Sequence, residues 1–185
     1  MSQQDRDIVC LRRVHGGDES ALQELYDRYC PLLYPVALRI LRSSADAEDA
    51  VQQAWLQVWK SAGSYDPRRG VVAAWLLTVA RTRALDLYRS LASRRRAEGR
   101  DEAAPQVAPA DPAADAAQGQ VGARVRRALG TLTAEQRRVL EIAYFEGLSQ
   151  SEVAARIGAP LGTVKSWTRQ GLMRLKELLP EEEWA

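Results

Sequence analysis

One phenylalanine, one histidine and two cysteines in 185 residues remove several classes of protein at once. A β-sandwich or barrel draws its core from aromatic and β-branched residues in strict alternation. No stretch here alternates over strand length, so no sheet is expected. The lone His15 lies near Cys10, with Cys30 further along, but no CxxC or HxxxH spacing joins them, so neither a metal site nor any other cofactor is expected. Two cysteines are too few for a disulfide framework. No apolar run approaches the roughly 20 residues that a membrane-spanning helix needs, and no secretory leader is seen, which favours a cytoplasmic protein. A formal net charge of +2 is too small to argue for nucleic acid by itself.

What the chain does have is helical periodicity and segregated charge. Its 46% hydrophobic content is enough to bury one core or two small ones. Arginines crowd residues Arg81 to Arg100, only acidic charge follows from Asp101 to Gln120, and basic residues resume at Arg124, Arg126 and Arg127. The pattern predicts an all-α fold of two small helical domains, 1–96 and 121–185, joined by a flexible acidic linker over 97–120. That linker is rich in Ala, Pro, Gln and Asp and cannot bury a core. In the first domain, a helix over Arg6 to His15 closes at Gly16-Gly17. Asp18 then caps a helix with Leu22, Leu25, Tyr26 and Tyr29 inward. Pro31 and Pro35 open a further stretch through Leu41. Ser44 or Asp46 caps the next helix, whose inward stripe is Val51, Ala54, Trp55, Val58 and Trp59. A loop from Gly63 to Gly70 leads into a long helix from Val72 to about Arg94, in which Trp75, Leu76, Val79 and Ala80 read as core. In the second domain, Val121 to Leu129 forms a short helix. Thr133 with Gln136 then caps a helix carrying Val139, Leu140, Ile142, Ala143 and Tyr144 as far as Gly147.

The most specific pattern is LSQSEVAARIGAPLGTVKSWTRQGLMRL, Leu148 to Leu175, which reads as a helix-turn-helix. Ser149 and Glu152 make a capping box, Gly158 ends the first helix, and Pro160 suits the first turn of the second. Leu161, Val164, Thr168, Leu172 and Leu175 are expected to face inward, with Lys165, Ser166, Arg169, Met173 and Lys176 outward. Basic and hydroxyl side chains early in a second helix reach base edges and phosphates of the major groove.

Three stretches in order, DAEDAVQQAWLQVW (Asp46 to Trp59), AWLLTVARTRALDLYRS (Ala74 to Ser90) and GTVKSW (Gly162 to Trp167), resemble an extracytoplasmic-function sigma factor of bacterial RNA polymerase, over nearly the whole chain. The resemblance implies an alternative sigma factor without catalysis of its own. Its first domain would bind core polymerase and melt the minus-ten promoter element, and its second would read the minus-thirty-five element. Polymerase contact, on the clamp helices of the largest subunit, falls to Glu48, Asp49, Gln52, Gln53 and Leu56, an acidic and amide-rich face suited to a basic partner. The second domain would meet the flap of the second-largest subunit. Minus-ten reading and melting fall to Tyr65, Arg68, Arg69, Trp75, Arg81, Thr82, Arg83 and Arg89, where an unstacked base must be held by stacking and edge hydrogen bonds. Minus-thirty-five reading falls to Thr163, Lys165, Ser166, Arg169, Gln170 and Met173. Where the family commonly has glutamate, asparagine and arginine, this chain has Gln53, Thr82 and Trp167. Trp167 is expected to pack against a neighbouring helix. The resemblance also implies an anti-sigma factor as partner, in many members membrane-anchored, and a linker that threads the polymerase channel.

Other readings stay open on the residues alone. A helix-turn-helix regulator that does not replace a sigma factor shares the C-terminal pattern, but the strands of a response-regulator receiver are missing. A recombinase would need an oriented nucleophile on an α/β scaffold. A polymerase-binding protein that ignores DNA would have no use for exposed Lys165 and Arg169.

Overall fold

The computed structural model describes residues 1–99 and 119–179, with side chains over 1–99 and 125–179. All regular structure among them is helical, and they fall into two compact units, 1–99 and 119–179. The expected linker lies outside the described residues except at its ends. There the flanking helices reach further than their periodicity indicated, to Ala97 on one side and from Gly119 on the other.

In the first unit, α1 (Gln3–His15) starts three residues before Arg6, because Ser2 and Asp5 form a reciprocal capping box. Its inner side carries Cys10, Leu11 and Val14, and also Asp7, which is 1% exposed. That carboxylate accepts hydrogen bonds from Gln3 Nε2 at 2.9 Å, from the Tyr29 hydroxyl and from the Arg28 guanidinium. A buried charge is tolerable only with such partners. The Cys10 thiol donates to Glu24 Oε2 at 3.3 Å, and Arg13 reaches both Asp18 and Glu24.

The second helix corrects the sequence reading. Pro31 and Pro35 do not open a new helix; α2 runs unbroken from Glu19 to Leu41 through both. Each interior proline removes a backbone hydrogen bond and costs about 3 kcal/mol. The helix survives because Leu25, Tyr29, Leu33, Ala37 and Ile40 are buried on both sides of the prolines, and a fully buried Leu or Ile stabilises by roughly 1.5–3 kcal/mol. Local propensity loses to tertiary burial. Tyr26, expected inside, is exposed and lies on Trp55 with ring centroids 5.4 Å apart. Ser43, not Ser44 or Asp46, caps α3 (Ser44–Ser61), its side chain accepting from the Asp46 amide. Ala47, Ala50, Val51, Ala54, Trp55 and Val58 form the inner face, while Trp59 is only half-buried. After two short 3-10 turns, α4 (Val72–Ala97) packs against α2 and α3, burying Val72, Leu76, Ala80, Ala84 and Leu85; Trp75 and Val79 are half-buried.

In the second unit, α5 (Gly119–Gly130) ends where Arg137 forks onto the Leu129 carbonyl, at 3.1 and 2.7 Å. Helix α6 (Ala134–Glu141) opens on the Thr133–Gln136 capping box and loosens into a π turn over Ile142–Glu146, which Gly147 stops in the left-handed region. Val139 and Ile142 are buried, but Tyr144 is exposed, edge-on to Phe145. Then α7 (Gln150–Ile157) and α8 (Leu161–Leu178) form the helix-turn-helix, with Gly158 as a left-handed C-cap. Pro160 sits one residue earlier than expected, at the N-cap of α8, where its carbonyl accepts from Thr163 and Val164.

Candidate nucleic-acid and polymerase interfaces

The inward face of α8 differs from its sequence reading at two positions, Leu161 and Leu172. Val164 is fully buried, and Thr168 and Leu175 are half-buried, but Leu161 and Leu172 are 40% and 53% exposed. Gly171 is buried in place of Leu172. A Cβ on Gly171 would lie 2.9 Å from Leu140 Cδ1, so α6 and α8 approach closely here and any side chain at 171 would have to displace the Leu140 methyl. The inner line is therefore Val164, Thr168, Gly171 and Leu175, at spacings of four, three and four. A hydrophobicity count prefers Leu172 over a glycine and so misses it.

The outer face follows. Lys165, Ser166, Arg169, Gln170 and Met173 are exposed, and Thr163 is half-buried at the start. Gln170 is tethered: its Nε2 donates to Ser166 Oγ and its Oε1 accepts from Gln136 Nε2, both at 3.2 Å. Trp167 is half-buried on the flank of this face.

The loop before α4 is organised by hydrogen bonds. Tyr65 stands edge-on to Trp75, centroids 5.8 Å apart, and its hydroxyl accepts from Gln4 Nε2 and donates to the Gly70 carbonyl, each at 2.7 Å. Burial raises its phenol pKa. Arg68 is exposed and paired to Asp66 at 3.1 Å, which holds that carboxyl below its usual range. Arg69 is exposed beside it. Gly70 has φ +135°, a conformation strained for any L side chain.

Along α4 the candidate residues do not share one face. At 100° per residue, Arg81 and Arg83 point apart. Arg83 is half-buried and donates from Nη2 to Gln57 Oε1 of α3 at 2.9 Å, and Arg81 is also half-buried. Thr82 and Arg89, seven residues apart, lie on the exposed side with Thr78 and Asp86, in line with Trp75. Asp86 is 3.7 Å from Arg89. Thr78 was not singled out from the sequence. Both threonine hydroxyls donate to the carbonyl four residues earlier, at 2.8 Å, which leaves their oxygens as outward acceptors.

On α3, Glu48, Asp49, Gln52, Gln53 and Leu56 are all exposed, Leu56 at 61%. Gln53 Nε2 donates to Asp49 at 2.9 Å, which ties the two side chains together on this face. Leu56, with Gln52 and Gln53 one turn before it and Lys60 one turn after, is a large exposed apolar side chain among polar ones, as at protein interfaces. Among the described residues no cluster of metal-ligating side chains occurs, and no helix is long and apolar enough to cross a membrane.

Two family models match the sequence: Sigma-70 region 2 over residues 25–95 and Sigma-70, region 4 over residues 128–177. The chain is 41% identical to the ECF RNA polymerase sigma factor SigK of Mycobacterium sp. (strain JLS), over 92% of this chain and 89% of that one. It is 38% identical to the ECF RNA polymerase sigma factor SigK of Mycobacterium bovis (strain BCG / Pasteur 1173P2), over 91% of each. Of solved structures, Rhodobacter sphaeroides SigE in complex with the anti-sigma ChrR is 30% identical, covers 95% of this chain and 99% of its own, and gives a TM-score of 0.47.

Proposed function

The chain belongs to the extracytoplasmic-function sigma factors of RNA polymerase, alternative factors that direct promoter-specific transcription, and from that membership we propose how its residues divide the work. Residues 1–96 bind core polymerase and open the minus-ten element, and residues 121–185 read the minus-thirty-five element. The observation that carries this reading is the outer side of α8, where Lys165, Ser166, Arg169 and Met173 stand exposed over an inner side closed by Val164 and Gly171. Such a helix can enter the major groove without giving up core contacts. Promoter DNA and the flap of the second-largest subunit are the partners of this unit. The chain acts in the cytoplasm, where the polymerase is, and an anti-sigma factor holds it inactive. Mixing the purified chain with core polymerase and a library of promoter fragments tests the whole reading. Initiation should occur on fragments sharing two spaced elements, and no directed initiation would overturn it.

The face of α3 is the clamp-binding surface. Asp49→Lys with Gln52→Lys turns an acidic rim basic against a basic partner, and affinity for core enzyme should fall about tenfold. Helicity should not change, because both side chains are exposed. Unchanged affinity in a competition assay for core polymerase would remove the assignment.

The loop, the half-buried Trp75 and the exposed line Thr78–Thr82–Arg89 form the single-strand surface. Arg68→Ala with Arg69→Ala should spare closed-complex formation yet lower the permanganate reactivity of unpaired thymines about fivefold, from the loss of backbone and stacking contacts. A pre-melted template should restore initiation. If pre-melting does not rescue it, these arginines act elsewhere.

A further inference from the structure

The N-terminal helix α1 precedes residues 25–95, the stretch that matches Sigma-70 region 2, yet it holds the loop before α4 at both ends. At one end stands Gln4. Its Nε2 donates to the Tyr65 hydroxyl at 2.7 Å, its Oε1 accepts from the Val72 backbone N–H at 3.0 Å, and the Tyr65 hydroxyl donates onward to the Gly70 carbonyl. Val72 is the first residue of α4, and Val71 at the N-cap offers no side-chain acceptor. Gln4 therefore takes the place of a capping residue for a helix whose own cap is apolar. At the other end, His15 covers Gly63 so closely that a Cβ there would lie 2.6 Å from the imidazole Cε1. Between these two grips, Arg68 and Arg69 are exposed.

We propose that Gln4 is a positioning residue for promoter melting: by joining Tyr65 to the start of α4, it holds the 65–72 loop in the conformation that receives the unstacked strand. The inference rests on the reading of this loop as part of the single-strand surface. A loop ordered beforehand loses little conformational entropy when DNA binds, whereas a loop released by loss of Gln4 must be ordered by the DNA itself. Loss of Gln4 thus weakens capture of the single strand and leaves the upstream duplex element, read by the other unit, unaffected.

The test uses the full chain with Gln4→Met, which keeps side-chain length and helix propensity but removes both the donor and the acceptor. Three measurements are made. Hydrogen exchange at the Val72 amide reports the grip in the free chain. Holoenzyme affinity is measured for a fluorescent single-stranded oligonucleotide carrying the non-template minus-ten strand of a promoter on which the enzyme initiates. Affinity for a duplex minus-thirty-five fragment is the reference. Val72 exchange should accelerate and single-strand affinity should fall, each about fivefold as one net hydrogen bond allows, with duplex affinity unchanged. Tyr65→Phe, which removes the hydroxyl that Gln4 Nε2 and the Gly70 carbonyl engage but leaves the Gln4–Val72 bond, should lower single-strand affinity with duplex affinity unchanged. Unchanged Val72 exchange overturns the grip. Faster exchange with full single-strand affinity overturns the positioning role, as does an equal loss of duplex affinity, which marks a general folding defect. The Arg68→Ala, Arg69→Ala chain separates the two levels. If it binds the single strand poorly while Gln4→Met binds normally, the inference alone fails; if both bind normally, the reading of the loop fails with it.

Discussion

Alanine at Arg169 relaxes promoter preference at a single base position of the upstream element, at a cost of about 1–3 kcal/mol on the preferred sequence. The guanidinium stands exposed in the middle of the outer face of α8, between Ser166 and Met173, with no core function to lose. A forked donor of this kind pairs with the O6 and N7 of guanine, so its removal is felt only where that base stood. Lys165, four residues earlier, is exposed toward the flank of the same face and is expected to meet phosphate as well as base. Lys165→Ala should weaken all upstream sequences to a similar degree and reduce the salt slope by about one, with a smaller change in preference. Binding across salt concentrations, on fragments varied at each upstream position, separates the two. Equal affinity and unchanged preference for both variants would take α8 out of sequence reading.

The largest effect on stability is expected at Asp7. Its side chain is 2% exposed, while that of its partner Arg28 keeps 33% of its surface in water. Asp7→Ala leaves the Tyr29 hydroxyl buried without its acceptor and strands a half-covered guanidinium. The cost is about 3 kcal/mol, at the low end for breaking a buried pair because Arg28 can turn to solvent. The melting midpoint of the N-terminal unit should drop by more than about 10 °C, followed by circular dichroism. Burial first, and then its bond to Asp7, push the Tyr29 phenol well above its ordinary value of 10.0. A raised folded-state pKa gives stability that is present below the unfolded value and lost as pH climbs past it, so this unit should weaken above pH 10. Tyr29→Phe should flatten that alkaline loss. An Asp7→Ala chain that melts with the native one would mean that the contact between α1 and α2 rests on Cys10, Leu11 and Val14 and on the pairing of Arg13 with Asp18 and Glu24.

The same contact bears on the Gln4 proposal, since α1 brings Gln4 to the loop before α4. Loosening α1 at Asp7 should also weaken single-strand capture. On the Gln4 proposal, stability and melting are coupled in this unit through one helix.

Much of the architecture was legible because it is written in interactions spanning three or four residues. The capping boxes Thr133–Gln136 and Ser149–Glu152, the left-handed Gly158 and the stripe Val51–Ala54–Trp55–Val58 are local, and each appears where the spacing placed it. The outer faces of α3 and α8 were legible for the same reason: helical geometry alone sets which side chains oppose a buried stripe. What the tertiary structure alone decided involves partners distant in sequence. The prolines of α2 are carried by burial against α3 and α4, not by anything within the helix. Gly171 replaces Leu172 on the inner line of α8 because α6 comes close there and Leu140 fills the space beside the glycine. Arg83 leaves the basic surface of α4 for Gln57, 26 residues away. The bonds from Gln4 to Tyr65 and Val72 span 61 and 68 positions. Sequence spacing determines faces and ends, because a helix turns by a constant angle; which residue on a face meets a neighbour depends on the distance between axes, and that is set only when the helices pack.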